Sequence, residues 1–545
     1  MAVSSISVLV LGIVAGAALF YLWSPTGKYR KRPLKLPIIG DIHSSPIERP
    51  LLRWDDWVKE NGAIATSKLF GIVPVVVINT AEAATELLGR RGAWYSNRPR
   101  SVGMEMITGA GPGKSRFTLM HDMDAHLKLH HRILSPSLGG IAAPHYQPVM
   151  ELEAKQLVKH LVEISEQKSL VIASDDIFPL LERAQASIIL ALHYGVRVPT
   201  LDDPLYKRVR ETQAKVTSYA SKPGLPDIFP FLANLPAIIS PWRKAADELF
   251  NKQKDLNLHL LSLGDDNPGW NATKQSRSLA AKYTKEPISD TDLAFTLATS
   301  VQGGIETSTR TILWLFIAAT TGNKRFMKRS HDLLDAVVGR DRLPRFSDRS
   351  SLCYIDAIIS ELLRWRPISP GGVPRRADKQ DYFNGIRIVK NAMVLTNAMV
   401  LTNAWSIGRD EAVFDQSLGG LDEFIPERWV DGESMDTDIK NQGELRTSLP
   451  LPVFGHGRRS CLGKRVAVDG TFAQVATMIW AFDFERAEEV DEMEMKVVWF
   501  MTEPKPFKFK LKPRGPWVLK VIEEEWRTAD KELSNIMGNI SDIES

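Results

Sequence analysis

Between Ser289 and Gly322 the chain reads SDTDLAFTLATSVQGGIETSTRTILWLFIAATTG. Ser289 followed three residues later by Asp292 has the form of a capping box, and Gly322 supplies a stop. The interval holds about 30 residues, or roughly 45 Å of helix at 1.5 Å per residue. A helix that long crosses a large domain, and its apolar content demands burial. The polar run QGGIETS in its middle therefore needs a reason, because a polar group taken out of water costs free energy unless it is partnered. Length alone, 545 residues, suggests about two to four domains. Long helical patterns dominate from Met150 to Trp365, and the β-branched run VPVVVI (73–78) reads as a buried strand.

The first residues obey a different rule. VSSISVLVLGIVAGAALFYLW, from Val3 to Trp23, carries no charged side chain and matches the ~20 residues that cross a bilayer core. KYRKRP follows, with Lys28, Arg30, Lys31 and Arg32; cations flanking one end of a span stay on the cytosolic side. The run is too long for the apolar core of a cleaved signal peptide and lacks a clear cleavage site. A retained single-pass anchor over 1–23 is expected, then a basic, proline-rich linker over 24–40 stiffened by Pro33 and Pro37. Net charge is +4, from 69 Lys and Arg against 65 Asp and Glu, with no long basic run beyond the N-terminal region, which argues against a nucleic-acid partner. Two cysteines, Cys353 and Cys461, cannot build a disulfide framework or a cysteine-rich zinc site, and a thiol-reducing compartment is expected for the body.

Cys461 lies in PVFGHGRRSCLGKRVAV (452–468). Gly455, Gly457 and Gly463 allow tight turning and close approach to a flat ligand. The segment leads into the helical pattern LGKRVAVDGTFAQVATMIWAF, and a helix N-terminus beside Arg458, Arg459 and Lys464 favours the thiolate. A thiolate is a strong ligand for heme iron, amide N–H groups of the turn can tune it, and arginine suits propionate carboxylates. A lone cysteine is more often a buried structural thiol, but a core thiol has no need of this density of glycine and arginine.

Phe454, Gly455, Gly457, Arg459, Cys461 and Gly463 fill every fixed position of Phe-Gly-x-Gly-x-Arg-x-Cys-x-Gly. The stretch resembles the cysteine-loop signature of the cytochrome P450 family of heme-thiolate monooxygenases. Further stretches fall in family order over about residues 30–515: WYSNRP (94–99), GGIETS, ELLR with Glu361 and Arg364, VPRR (373–376), FIPERW with Arg428, and PKPFKF (504–509). LPDIFPFLANLP (225–236) looks like fungal membrane-bound members. The resemblance implies a mainly α fold with smaller β-sheets, the cytochrome P450 fold, preceded by a single transmembrane helix. One heme domain over 41–515 then replaces several, with an amphipathic helical extension over 516–545.

The implied cofactor is heme b (iron protoporphyrin IX) with an axial thiolate from Cys461. Phe454, His456, Arg459, Arg375, Gly303 and Gly304 are implied to line or hold it. Glu306 and Thr307 are implied to be the acid and the hydroxyl of oxygen activation and proton relay. The glycine pair weakens a helix interior by roughly 0.5–1 kcal/mol per residue relative to alanine, with room for O2 and a local widening as the expected return. Glu361, Arg364 and Arg428 are implied to form a buried network supporting the cysteine loop; taken alone, an i, i+3 Glu/Arg pair is a solvated helix face worth a few tenths of a kcal/mol. The implied partners are O2, a lipophilic small-molecule substrate, the membrane and an NADPH-dependent cytochrome P450 reductase. The implied location is the endoplasmic reticulum membrane, with the catalytic domain cytosolic.

Some features depart from the family pattern. The helix before the heme usually offers Trp-Arg to a propionate. HDMDAHLKLHHRILSP puts Leu127 and His131 at those places, or His126 and His130 after a one-residue slip, with Arg132 or Lys128 to take the charge role. His126 and His130 at i, i+4 also suit a metal, but no third ligand pattern lies nearby. AMVLTN occurs twice in tandem, at 392–397 and 398–403, far below the period of a repeat architecture. An even-numbered insertion keeps side-chain facing in a strand, so a longer edge hairpin is one expectation and impaired geometry another. TGAGPGKS (108–115) has Thr108 where a phosphate loop needs its first glycine, and reads as a loop near the substrate entrance. At the C-terminus Leu519, Ile522, Trp526, Ala529, Leu533 and Ile536 recur at helical intervals and need a docking surface. Cytosolic placement predicts that the sequons at Asn271 and Asn539 stay bare.

The expected function is insertion of one oxygen atom from O2 into a lipophilic small molecule, in fungal specialised metabolism. One alternative is a heme-thiolate isomerase or dehydratase, against which Glu306 and Thr307 argue. The other is a non-catalytic heme-binding membrane protein impaired by the duplication.

Overall fold

Thirty-two residues, Asp290–Thr321, form one unbroken helix, and the rest of the fold is arranged around it. Its start is closed by Ser289, whose hydroxyl accepts the Asp292 N–H at 3.1 Å and bonds the Asp292 carboxylate at 2.6 Å. Every residue from Ser308 to Thr320 is buried, as an element apolar all round must be. Its threonines do not disturb it, because Thr296, Thr299, Thr309, Thr311 and Thr320 each donate to a carbonyl four residues earlier.

The chain was analysed in a computed structural model that describes residues 58–538 apart from 60–61, 70–72, 112–113, 222–223, 229, 322–324, 391–398 and 432–442. The run Val3–Trp23, its basic linker, the first AMVLTN copy and Asn539 lie outside the described residues. Among the described residues no helix is long and apolar enough to cross a membrane.

The helices that position the site are, in chain order, α1 (Ala125–Leu138), α2 (Ala143–Gln167), α3 (Ser174–Tyr194), α4 (Pro204–Ala220), α5 (Pro241–Asp266), the long helix as α6 (Asp290–Thr321), α7 (Cys353–Trp365), α8 (Lys464–Ala481), α9 (Pro516–Thr528) and α10 (Leu533–Met537). Helices α3 and α5 pack along α6, and α8 packs on α2 and α7. The larger core joins Ile312 to Phe316 of α6 with Trp365, Trp429 and Trp480. A second core gathers the first half of α6, the middle of α1 and the end of α3.

The sheets are small. The strands are β1 (Ile64–Leu69), β2 (Val73–Ile78), β3 (Arg375–Arg376), β4 (Met399–Thr402), β5 (Met495–Val498) and β6 (Met501–Pro504), besides a three-stranded sheet that joins Val171–Ala173, Phe482–Arg486 and Lys508–Pro513. In the four-stranded sheet the order is Ile64–Leu69, Val73–Ile78, Met399–Thr402, Arg375–Arg376. The strand expected at 73–78 is therefore present. The second AMVLTN copy supplies β4, which pairs parallel to β2 with Val75 opposite Met399 and antiparallel to β3. That is an interior strand and not the edge hairpin expected. The reason lies at the end of the hexad: Asn403 is followed by AWSI, and its side chain accepts the Ser406 N–H (3.0 Å) to cap the helix Ala404–Ile407, while its Nδ2 donates to Asn79 (3.0 Å). In the sequence Asn397 is followed not by AWSI but by a second AMVL.

The C-terminal stripe is divided. Ala529 is extended (ψ 133°), and Asp530 accepts the Glu532 N–H at 2.9 Å and Asn535 Nδ2 at 3.1 Å, so the chain turns between α9 and α10. Val518, Val521 and Ile522 join the larger core, while Leu533 and Met537 join the second. Both helices dock on α2, with Lys155 and Glu525 paired at 2.6 Å. Asn271 is buried, caps the helix Ala272–Tyr283 and donates to the Gly264 carbonyl, so a glycan at this sequon is incompatible with the fold.

Deleting residues 392–397 shortens the connection before β4 and leaves Asn403 in place. Loop closure changes by only about 0.6 kcal/mol per twofold in length, so the thermal midpoint is expected to move by no more than about 2 °C. A drop of more than about 5 °C on a calorimeter would show that the first copy is part of the folded sheet.

Candidate active site

Cys461 stands just ahead of α8, and its N–H donates to the Phe454 carbonyl at 2.8 Å. The loop can reach this position only with glycine at 457, where φ is +56° and a Cβ would overlap the Leu88 carbonyl oxygen. The Cys461 side chain is open to a cavity yet enclosed by the protein, so surface exposure and an interior environment hold together. Burial pushes the thiol up, and the Gly463 amide donating to the sulfur and Lys464 nearby offset this only in part. The expectation that the flanking arginines favour the thiolate is not met. Arg459 turns its guanidinium to the carbonyls of Ser96 (2.6 Å) and His121, and Arg458 is exposed. A sulfur in these surroundings keeps its proton until a metal displaces it.

The cavity has a volume of about 320 Å³, within the range of small-molecule sites. Its walls include Cys461 and Phe454 from the loop, and Gly303, Gly304, Glu306 and Thr307 from α6. The two glycines serve different ends. Gly303 has open space where a Cβ would stand, whereas a Cβ on Gly304 would lie 2.7 Å from Ile189 of α3. Thr307 donates its hydroxyl to the Gly303 carbonyl at 2.5 Å, and the helix is continuous there. The room comes from the missing side chain and not from the expected widening of the helix. Glu306 is partnered on both oxygens: it accepts from the Thr217 hydroxyl of α4 at 2.8 Å and from Arg310 Nη1 at 3.2 Å, and Arg310 Nε also donates to Glu503 of β6 at 2.9 Å.

Three arginines, Arg98, Arg375 and Arg459, border the same cavity. Arg98 donates to the carbonyls of Leu119, Val373 and Pro374, each at 2.8 Å, and Arg375 donates to that of His456 at 2.8 Å. Among the described residues none of the three forms an ion pair, although the charges of Asp122 and Asp124 act on Arg459, and that of Asp122 on Arg98, from further away, and Arg375 Nη1 has no partner there. Burial, aggravated by the neighbouring Arg459 charge, brings Arg375 down to about 10; burial likewise brings Arg459 to about 10 and Arg98 well below its usual value. Such a cluster is a site for an anion. Arg98 was not singled out by the sequence reading. Its only local signal is the Arg-Pro within WYSNRP, and nothing in that hexapeptide says which way the side chain turns.

The remaining expected residues divide. His131 borders the cavity, and burial beside Arg459 brings it to about 4, so it is neutral. His456 meets Arg375 through its backbone oxygen; its ring is outside the cavity wall and is brought to about 4 by burial and Arg375. Arg132 is turned away: it is exposed and lies 3.6 Å over the Tyr283 ring. Leu127 is wholly buried. His130 bonds Thr296 and stacks on His126 at 4.1 Å, and no cluster able to hold a metal ion exists among the described residues.

Behind the loop, Arg364 grips Glu361 with two bonds of 2.7 Å. Glu361 also accepts from Trp429 Nε1 at 2.9 Å and the Ile425 N–H at 2.8 Å, with Arg428 Nε at 3.8 Å. Arg364 and Arg428 spend their other donors on carbonyls of residues 408, 415, 419, 420, 421 and 423. These bonds pin the segment from Gly408 to Trp429 onto α7, which packs on α8.

The residues fit heme b. A thiol faces the cavity from one wall, a helix stripped of one side chain forms another, and three cations without an anion stand at its border. Comparisons with known proteins point the same way. The family model for cytochrome P450 matches residues 31–511. A cytochrome P450 monooxygenase of Aspergillus aculeatus, aneD, is 29% identical over 94% of this chain and 94% of its own. Cytochrome P450 monooxygenase 58 of Postia placenta is 30% identical over 83% of this chain and 81% of its own. A zebra fish cytochrome P450 solved with progesterone shares the fold, with TM-score 0.68 and 22% identity over 85% of this chain and 99% of that one. With its cysteine loop, its α6 motif and a match spanning most of its length, the chain belongs to the cytochrome P450 family of monooxygenases, which hold heme b through a cysteine thiolate.

Proposed function

We propose that the protein is a membrane-anchored monooxygenase that inserts one oxygen atom of O2 into a lipophilic small molecule of fungal specialised metabolism, with electrons from an NADPH-dependent reductase. The observation that carries this reading is that Cys461 and the pair Glu306 and Thr307 border one cavity. Heme b, when bound, supplies the redox chemistry that activates O2. Cys461 would hold the iron through its sulfur, with the Gly463 amide moderating the sulfur's charge. Arg98, Arg375 and Arg459 take the propionates. Thr307 holds a hydroxyl proton at the cavity wall, and Glu306 relays protons from the α4 side through the Thr217 hydroxyl. Fungal relatives named as monooxygenases support the oxygen-inserting reading and its metabolic setting.

Two surface features support the partners. Lys128, Arg132 and Arg458, with His131, line an open cleft outside the cysteine loop that contains no acidic residue, a face suited to an acidic electron donor. For the membrane, the uncharged run Val3–Trp23 supplies an anchor, and Phe231, Ile238 and Ile239 are 65%, 94% and 58% exposed, a patch suited to lipid.

Expression with a reductase under 18O2, followed by mass analysis of products, tests the activity. One labelled oxygen per product is expected; turnover that needs no reductase and carries no label would favour the isomerase reading. Cys461→Ser is expected to abolish the thiolate-type absorbance of the ferrous carbonyl complex. Arg375→Met removes a cation whose side chain makes one hydrogen bond among the described residues. It is expected to leave the apoprotein's stability within about 1 kcal/mol and to speed heme loss about tenfold or more; heme loss at the wild-type rate would remove Arg375 from the propionate site. Lys128→Glu with Arg458→Glu is expected to slow reduction by the reductase about tenfold at low salt. Reduction by dithionite should be unchanged, and equal slowing with both reductants would refute the docking face.

A further inference from the structure

One wall of the cavity is built from a turn that an ordinary side chain disfavours. Strands β5 and β6 pair with Val498 opposite Met501, which leaves Trp499 and Phe500 as a two-residue turn. The common two-residue turns need positive φ at their first position and therefore favour glycine or asparagine. Trp499 occupies it with φ +58°. Bulky residues persist in that region where the surroundings hold them, and such places cluster at ligand sites. The Trp499 and Phe500 rings meet at 4.5 Å, nearly edge to face, and Phe117 stands 6.4 Å from Trp499. All three border the cavity.

A second, independent feature lies beside this turn. The Thr502 N–H donates to the Ile368 carbonyl at 2.8 Å, which sets Ser369 next to the hairpin. Ser369 is only 6% exposed, borders the cavity, and has a hydroxyl with no partner among the described residues. On the α4 side Gln213, also 6% exposed, donates to the Gln302 carbonyl at 3.2 Å and keeps its own carbonyl oxygen unused among the described residues. The carboxylate in this wall, Glu306, is already paired with Arg310. A hydrocarbon would leave the buried hydroxyl unsatisfied, a cation would find Glu306 already paired, and an anion would compete with the propionates for Arg98, Arg375 and Arg459.

We infer that the cavity takes a neutral substrate that combines a flat aromatic ring with an amide or hydroxyl group, the ring against Trp499 and Phe117 and the polar group on Ser369. This rests on reading the cavity as the site of the proposed monooxygenation. The test is equilibrium dialysis of the holoenzyme with three matched probes: benzanilide, trans-stilbene as the isostere without the amide, and N-cyclohexylcyclohexanecarboxamide as the amide without aromatic rings. Benzanilide is expected to bind about tenfold more tightly than either of the others. Trp499→Gly suits the backbone, so it is expected to keep the thermal midpoint while erasing the preference over the saturated amide. Ser369→Ala is expected to erase the preference over stilbene alone. Equal affinities for the three probes, no measurable binding of benzanilide, or preferences that survive both substitutions would overturn the inference. The ferrous carbonyl spectrum separates this from the underlying reading: a thiolate-type spectrum with failed binding preferences sinks only the substrate class, whereas its absence in the wild type sinks the monooxygenase itself.

Discussion

Taking an ion out of water costs several kcal/mol unless new partners replace its hydration, and the buried charges around Cys461 meet that cost in opposite ways. Behind the loop, Glu361 and Arg364 are wholly buried and closed upon each other, every spare donor spent on a named carbonyl. In front of it, Arg98, Arg375 and Arg459 have backbone carbonyls but, among the described residues, no carboxylate in ion-pair reach, and their charged forms are disfavoured. The closed group holds the segment from Gly408 to Trp429 in place, and with it the platform on which the loop rests. The open group leaves a positive field whose completion needs an anion. A fold that only had to be stable would not keep three like charges in one wall.

Along α6 the polar side chains close on the helix itself or on its neighbours. Its threonines at 296, 309, 311 and 320 close on their own helix, and these positions serve packing. Between them, at Gly303, the helix withholds a side chain where space is open. That the helix stays continuous here means that the cavity owes its depth to an absent Cβ, a smaller expense in stability than a broken turn.

What could be read from the sequence follows from how local each feature is. The cysteine loop, the extent of α6 and the strand at 73–78 are set by neighbours a few residues away, through glycine placement, capping and side-chain pattern. Glu361 and Arg364 share a turn, so their pairing was legible, although their burial depends on carbonyls some 50 residues onward. Arg98 and Arg132 could not be separated by such means. Each is an arginine near an aromatic or imidazole neighbour; one turns inward to carbonyls about 275 residues away, and the other turns out to Tyr283. The positive φ of Trp499 was equally hidden, because turn preferences name glycine there and only the packing of Phe117 and Phe500 accounts for a ring. The break between α9 and α10 was within reach, since Asp530 is a turn former, but the apolar spacing continued across it and masked the signal.

The two halves of the candidate site are joined by one guanidinium. Arg310 donates to Glu306 on its own helix and to Glu503 on β6, and Glu503 is three residues beyond Phe500 in the strand that leaves the aromatic turn. The acid of the α6 motif and the hairpin that carries Trp499 are thus fixed relative to each other through bonds of 3.2 and 2.9 Å. Thr217 adds a third tie, from α4, one residue from Val216, which packs in the same cluster as Trp499 and Phe117. The aromatic rings and the Glu306 carboxylate are thus held by one set of neighbouring elements.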